Sequence, residues 1–184
     1  RVYITTPSSS DEISIVGGND EHPLSLSTST TFYQNIFGSE LASSISPAMF
    51  VAAPDALYDS WVTIGATSSA DLADGAINTL PGDWASTFEA GNSFIVDDAV
   101  GSGWLIVPVG VLNSVSGDDH KVLLAQLTSD GSISGSFRVQ IYSNGNYEDE
   151  ISVDLTFAQA PLGSYDCPII VDGPSELTIE CSDD

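Results

Sequence analysis

The clearest pattern in the chain is the alternation of apolar and polar residues in its second half. In the segment ISGSFRVQIY, the apolar residues Phe137, Val139 and Ile141 alternate with polar ones, and the segment EISVDLTFA repeats the pattern. A period of two places the apolar residues on one face of a strand and the polar residues on the other. Each segment therefore predicts a half-buried β-strand.

Short turn-forming sequences predict how these strands connect. Between residues 121 and 157 the chain reads as KVLLAQLT, the turn SDGS, the first alternating segment, the turn SNGN and the second alternating segment. Asp130-Gly131 and Asn144-Gly145 are pairs that supply the positive φ angles of tight hairpin turns. The stretch therefore predicts a three-stranded antiparallel meander.

Other apolar stretches predict further strands. YDSWVTIGA, SFIVDD and GWLIVPVG are rich in aromatic and β-branched residues, and one short helical turn is expected around residues 39–44. A sheet with one apolar face needs a second layer to cover it. We expect an all-β fold, an antiparallel β-sandwich or jelly roll, with Trp61 and Trp104 in its core.

The two ends of the chain differ from its centre. Residues 1–31 are rich in Ser and Thr and predict an extended arm that opens with the strand RVYIT, and residues 32–160 form the predicted sandwich body. Residues 161–184 contain both cysteines, Cys167 and Cys181, and predict a β-hairpin closed by a disulfide. A pair of free thiols is the alternative.

The charge balance narrows the choice of partners and of location. The chain has 26 acidic residues and three basic ones, and its net charge is −23. Binding to phosphate needs Lys and Arg, so we expect no nucleic-acid partner. No apolar run approaches the ~20 residues of a membrane helix. Because the chain opens at Arg1 without an apolar leader, we expect a secreted or cell-surface protein whose signal peptide has been removed.

Carboxylate and amide side chains are dense in several turns. Ca²⁺ prefers six to eight oxygen ligands of this kind. None of the turns has the spacing of an EF-hand, and a hydrated turn is the alternative at each. The candidate Ca²⁺ ligands are Asp97, Asp98, Asp118, Asp119, Asn144, Asn146, Glu148, Asp149 and Glu150.

Sequence motifs of catalysis are missing. There is no Gly-x-Ser-x-Gly, no His-Glu-x-x-His and no phosphate-binding loop, and the two histidines, His22 and His120, are too few for most catalytic zinc sites. No spacing marks out a pair of glycosidase carboxylates among the 26 acids, although such a pair stays an open alternative. We therefore expect that the protein is not an enzyme.

Two non-catalytic functions fit the sequence. Trp84, in the segment PGDWAS, is predicted to lie in a loop where its ring could stack on a sugar, which favours a carbohydrate-binding module. The strand-like ends could add a strand to the sheet of a neighbouring copy, and repetition of that contact builds a filament. The alternative is that each end pairs within its own domain. The residues proposed for assembly are Val2, Tyr3, Ile4, Leu177 and Ile179.

Two parts of the sequence resemble known extracellular proteins. The motifs FYQ, YDSWVTIG, GSGW, VLLAQLTSDGSISGSF and VQIY, between residues 32 and 142, look like a domain of large secreted surface proteins of marine bacteria and algae. The tail CP…ELTIEC is similar to the start of HYR-type immunoglobulin-like repeats. These resemblances imply a module of an extracellular structural or adhesive protein. We therefore expect a self-assembling subunit of a filament, sheath or adhesin, stabilised by Ca²⁺, with a polysaccharide-binding module as the alternative.

Overall fold

The computed structural model describes residues 1–74, 76–107, 112–159, 170–172 and 178–181. Its strands, in chain order, are β1 Val2–Thr5, β2 Glu12–Gly18, β3 Leu24–Thr28, β4 Trp61–Val62, β5 Ile77–Thr79, β6 Phe94–Val96, β7 Ser102–Ile106, β8 Lys121–Gln126, β9 Ile133–Tyr142, β10 Glu150–Gln159, β11 Ile170–Asp172 and β12 Thr178–Cys181. The helices are α1 Pro47–Ala52 and α2 Trp84–Glu89, with 3₁₀ segments at Ala42–Ser44, Pro54–Tyr58, Ser69–Asp74, Leu112–Ser114 and Ser143–Gly145. In the described residues no helix is long and apolar enough to span a membrane.

The strands form two antiparallel sheets. Within the described ranges, the smaller sheet has four strands in the order β12-β1-β8-β4, and the larger has eight. The larger sheet follows the path β11-β10-β9-β2-β7-β5, and β3 pairs with β9 and β6 beside it. The predicted all-β sandwich is therefore confirmed.

The core lies between the two sheets because each sheet turns an apolar face inward. Ile4 and Leu124 of the smaller sheet are buried in the same cluster as Ile13 and Val139 of the larger one. Trp104 is fully buried in this cluster, and its Nε1 donates a hydrogen bond of 2.9 Å to the carbonyl of Thr63. Both sheets are thus layers of a single core.

The predicted meander is correct in its second hairpin and wrong in its first. β9 and β10 pair along their whole lengths, and Asn144 and Gly145 in their turn have φ angles of 52° and 68°. β8 pairs instead with β1 and β4 in the other sheet. The chain crosses between sheets after β8, where Ser129 bridges to Phe32, and Gly131 is not among the described residues with positive φ.

The predicted arm, residues 1–31, is an integral part of the sandwich. β1 lies between β8 and β12, and β2 lies between β7 and β9. Val2 and Ile4 are buried because the alternation in β1 matches the inner face of the smaller sheet. The first 31 residues therefore supply strands to both layers.

The tail also differs from its predicted hairpin. β11 pairs with β10 in the larger sheet, whereas β12 pairs with β1 in the smaller one, with Ile179 opposite Ile4. The two tail strands therefore join the body in separate layers. Cys167 and Leu177 lie outside the described residues, so the disulfide with Cys181 stays a prediction.

Candidate functional site

An open trough crosses the outer face of the larger sheet. It encloses about 440 Å³ and runs from β10 over β9 and β2 to the loops beside β7. Neighbouring strands lie about 4.8 Å apart, so a course over four strands is ~14 Å long. This shape suits an extended ligand. One wall is polar and the opposite rim is apolar; the wall consists of Arg138, Gln140, Glu150 and Ser152, and the rim of Leu80, Pro81 and Val100.

The polar wall follows directly from the alternation in β9 and β10. Phe137 and Val139 are buried in the core, so the residues beside them, Arg138 and Gln140, lie on the outer face. Ser152 of β10 is directly opposite Gln140 in the register of the two strands. Side chains with hydrogen-bonding groups are therefore placed next to one another along the wall.

Glycines keep the floor of the trough low. Gly17 of β2 lies opposite both Arg138 of β9 and Gly103 of β7, so at this position no side chain rises from β2 or β7, although Ile15 of β2 also lines the trough. A Cβ atom on Gly17 would lie 2.8 Å from the carbonyl oxygen of Ser102, closer than normal packing allows. The close approach of the two strands requires glycine and leaves backbone at the base of the trough.

The charges at the trough are balanced. Nη1 of Arg138 lies 3.2 Å from each carboxylate oxygen of Asp154, the residue opposite it on β10. Nδ1 of His22 lies 2.8 Å from Asp154 Oδ2, which ties the loop before β3 to the same carboxylate. The described lining itself has one cation, Arg138, and one anion, Glu150. With Asp154 and Glu150 beside it, the positive charge of Arg138 is fully offset, so the trough presents no net positive charge.

Asp98 shapes the apolar rim. Its Oδ1 accepts hydrogen bonds of 2.9 Å from the amide of Val100 and 3.0 Å from the amide of Gly101. Its carbonyl oxygen accepts a third, of 3.0 Å, from the amide of Asp20. This predicted Ca²⁺ ligand therefore orders the turn that presents Val100 to the trough, while Asp97 beside it is exposed.

The other predicted Ca²⁺ ligands lie in two separate turns. Asn144 Oδ1 accepts a hydrogen bond of 2.7 Å from Ser8, and Asn146 Oδ1 accepts one of 3.1 Å from the amide of Glu148. Within the described part of the chain, no three His, Cys, Asp or Glu side chains are arranged to hold a metal ion. Ca²⁺ binding stays a prediction. All of the candidates in these two turns are exposed, namely Asp118, Asp119, Asn144, Asn146, Glu148, Asp149 and Glu150.

Trp84 does not form the predicted sugar-stacking surface. It begins α2 and is only 3% exposed, because its ring packs against Phe94 and Trp104 at centroid distances of 5.4 and 5.5 Å. The polar residues that flank it in the sequence indicated a loop, but the helix turns the ring into the core. Trp61 and Trp104 are buried as predicted.

A group of acidic residues lies outside the trough. Asp59 is completely buried, and its carboxylate accepts hydrogen bonds from the amides of Asn35 at 2.6 Å and Ser39 at 3.1 Å. Burial raises the pKa of Asp59 despite these hydrogen bonds, which lower it. Burial, together with the charges of Asp59 and Glu40, raises the pKa of Glu89 to about 7. Through the hydrogen bonds from Asn35 and Ser39, Asp59 also connects the loop of residues 35–39 to the end of the Pro54–Tyr58 segment.

Sequence reasoning identified only part of the trough. The alternation in the sequence predicts Arg138 and Gln140 on the polar face of β9, but it does not distinguish them from the other residues of that face. No sequence pattern indicates that Gly17 and Leu80 belong to a binding site, because their positions at the trough depend on pairing between strands that are distant in sequence.

No protein-family model, no curated protein and no solved structure matches this chain.

Proposed function

We propose that this protein is an extracellular, non-catalytic carbohydrate-binding module, and that the trough holds a linear, uncharged polysaccharide chain. The observation that carries the proposal is the composition of the trough, with hydrogen-bonding side chains on one wall and aliphatic side chains on the other. Sugars present hydroxyl groups at their edges and C–H groups on their faces. The two walls match these two kinds of surface.

The charges favour an uncharged ligand. Asp154 partly neutralises Arg138, and Glu150 offsets what remains, so an acidic polysaccharide gains little in the trough. The net charge of −23 also repels polyanions at long range. An uncharged polysaccharide is not repelled by the net charge of the protein, and its hydroxyl groups can accept hydrogen bonds from Arg138 and Gln140.

The test is retention on polysaccharides, by affinity electrophoresis and pull-down with insoluble forms. Neutral β-glucan, mannan and xylan are the probes, and alginate is the acidic comparison. We expect retention by at least one neutral polymer and none by alginate. Gln140→Ala removes one or two hydrogen bonds, each worth about 0.5–1.5 kcal/mol, and should weaken binding about tenfold. Gln159→Ala, on β10 outside the trough, is the matched control. Equal binding by wild type and Gln140→Ala would contradict the proposal.

Assembly by strand exchange is a second candidate, and the position of β12 favours it. β12 is the edge strand of the smaller sheet and pairs with β1 from Val2↔Cys181 to Thr5↔Thr178. The β12 strand of a neighbouring copy could pair with β1 in this same register. We expect concentration-dependent oligomers in sedimentation under this candidate, and their loss when residues 178–181 are deleted. A monomer at all concentrations would exclude it.

A further inference from the structure

A second hollow, away from the trough, lies where the Pro54–Tyr58 segment meets two loops. It encloses about 390 Å³ and is lined by Tyr33, Tyr58, Asp55 and Asp130 together with the hydroxyl residues Thr31 and Ser129. Tyr33 is 39% exposed and Tyr58 is 63% exposed, so both rings are open to a ligand. We call this hollow the tyrosine pocket.

The pocket is built on a fixed frame. The amide of Tyr33 donates to the carbonyl of Thr128 at 2.8 Å, and the amide of Ser60 donates to the carbonyl of Tyr33 at 3.0 Å. Asn35 Nδ2 donates to the hydroxyl of Tyr33 at 3.1 Å, which holds that side chain in place. The aromatic surface is therefore available without rearrangement, which lowers the entropy cost of binding.

The charge of the pocket points to a cation. The described lining contains no Lys, Arg or His, and neither Asp55 nor Asp130 has a hydrogen-bond or ion-pair partner in the described residues. Cations bind over the faces of tyrosine rings, and adjacent carboxylates add to that attraction. Two open aromatic rings with two exposed carboxylates form a receptor for an ammonium or guanidinium group.

The surroundings of the pocket favour a protein as the source of that group. Leu57, next to Tyr58, is 51% exposed, and Ile36 and Phe37 are 91% and 50% exposed. The loop that carries Ile36 and Phe37 is fastened to Asp59, the residue after Tyr58, by the hydrogen bonds from Asn35 and Ser39. Large exposed aliphatic and aromatic residues beside a polar pocket are typical of protein-binding surfaces.

A second copy of this chain is a poor source of the cation. Arg1 donates from Nε to Gln126 at 3.1 Å, Arg138 is paired with Asp154, and Lys121 of β8 also has a partner. These are the three basic residues of the chain. We therefore propose that the tyrosine pocket receives a lysine or arginine side chain from an apolar segment of a different protein.

The experiment measures binding of a fluorescent peptide, acetyl-Gly-Leu-Lys-Leu-Gly-amide, and of the same peptide with an Nε-acetylated lysine. We expect salt-sensitive binding of the first and at least about tenfold weaker binding of the second, because acetylation removes the cation. The double variant Asp55→Asn, Asp130→Asn and the single variant Tyr58→Leu should each lose about tenfold as well. All three positions are exposed, and unchanged thermal unfolding checks their fold.

The matched control is Asp20→Asn, Asp83→Asn, which changes net charge equally at exposed positions outside the pocket. Equal loss in this control would show general electrostatic attraction and overturn the proposal. Equal binding of both peptides, or binding of glucosamine oligomers in place of the lysine peptide, would also overturn it. Gln140→Ala should leave peptide binding unchanged, so failure here and failure of the trough proposal are separate results.

Discussion

The variant Glu89→Gln tests whether the negative charge of Glu89, at the end of α2, destabilises the folded protein. Glu89 Oε2 is buried and has no hydrogen-bond partner in the described structure. Burial, with the nearby charges of Asp59 and Glu40, raises the pKa of Glu89 from 4.5 to about 7. Between these values the folded chain holds a proton that the unfolded chain has released. The free energy of unfolding therefore falls as pH rises through this window.

The size of the effect follows from the pKa difference. One pKa unit corresponds to about 1.4 kcal/mol, so the full difference sets an upper bound of about 3 kcal/mol. Glu89 is partly exposed, and screening by water reduces the effect to about 1–2 kcal/mol. Since Gln is uncharged at every pH, Glu89→Gln should be more stable than wild type by that amount at about pH 8. The gain should shrink towards zero at about pH 4, where Glu89 is protonated.

Urea unfolding of both proteins, followed by tryptophan fluorescence at several pH values, measures this difference. Glu21→Gln, at an exposed loop position, is the control and should show no comparable gain. Equal or lower stability of Glu89→Gln at about pH 8 would refute the reasoning. So would a gain that does not change with pH, because the benefit would then come from packing or hydrogen bonding and not from charge.

Four further substitutions probe the fold through the same unfolding measurements. Trp104→Phe should cost about 2–4 kcal/mol, because it leaves a cavity and removes the hydrogen bond to the buried carbonyl of Thr63; a cost below 1 kcal/mol would argue against that bond. Gly65→Ala should cost more than about 2 kcal/mol, because φ is 75° and the new Cβ would clash with the carbonyl of Asn113. Gly117→Ala should cost only about 1 kcal/mol, because φ is 66° but the new Cβ would make only an ordinary contact with Asp119. Asn144→Ala should cost about 1–2 kcal/mol, since it places Ala at a φ of 52° and removes the acceptor of the Ser8 hydrogen bond; an unchanged midpoint would contradict this.

The part of the fold that could be predicted is the part encoded locally. The alternation of Phe137, Val139 and Ile141, with Asn144-Gly145 after it, specifies the β9–β10 hairpin within thirty residues of sequence. The pairing of β8 with β1 joins residues more than a hundred positions apart, and no local pattern records it. The high Ser and Thr content before residue 31 favours the prediction of an extended arm, although short apolar alternations in the same segment form β2 and β3 of the larger sheet.

The candidate sites were harder to predict for the same reason. Trp84 was the most prominent aromatic residue outside a strand, and tertiary packing buried it against Phe94 and Trp104. Tyr33 and Tyr58 lie 25 positions apart, and only the fold brings them to one hollow. Binding surfaces assembled from several loops leave little trace in the sequence of any one of them.

The pairing of β1 with β12 also has a consequence for the order of folding. Val2 lies opposite Cys181 in the register, so β1 is synthesised long before the strand that pairs with it on this side. Contacts of such long sequence separation slow folding, because the loop between the strands must close before any pairing energy is gained. During synthesis the backbone groups of β1 that later face β12 stay open, and an open strand edge invites pairing with other chains. A nascent chain is therefore most prone to aggregate in the interval before residues 178–181 emerge.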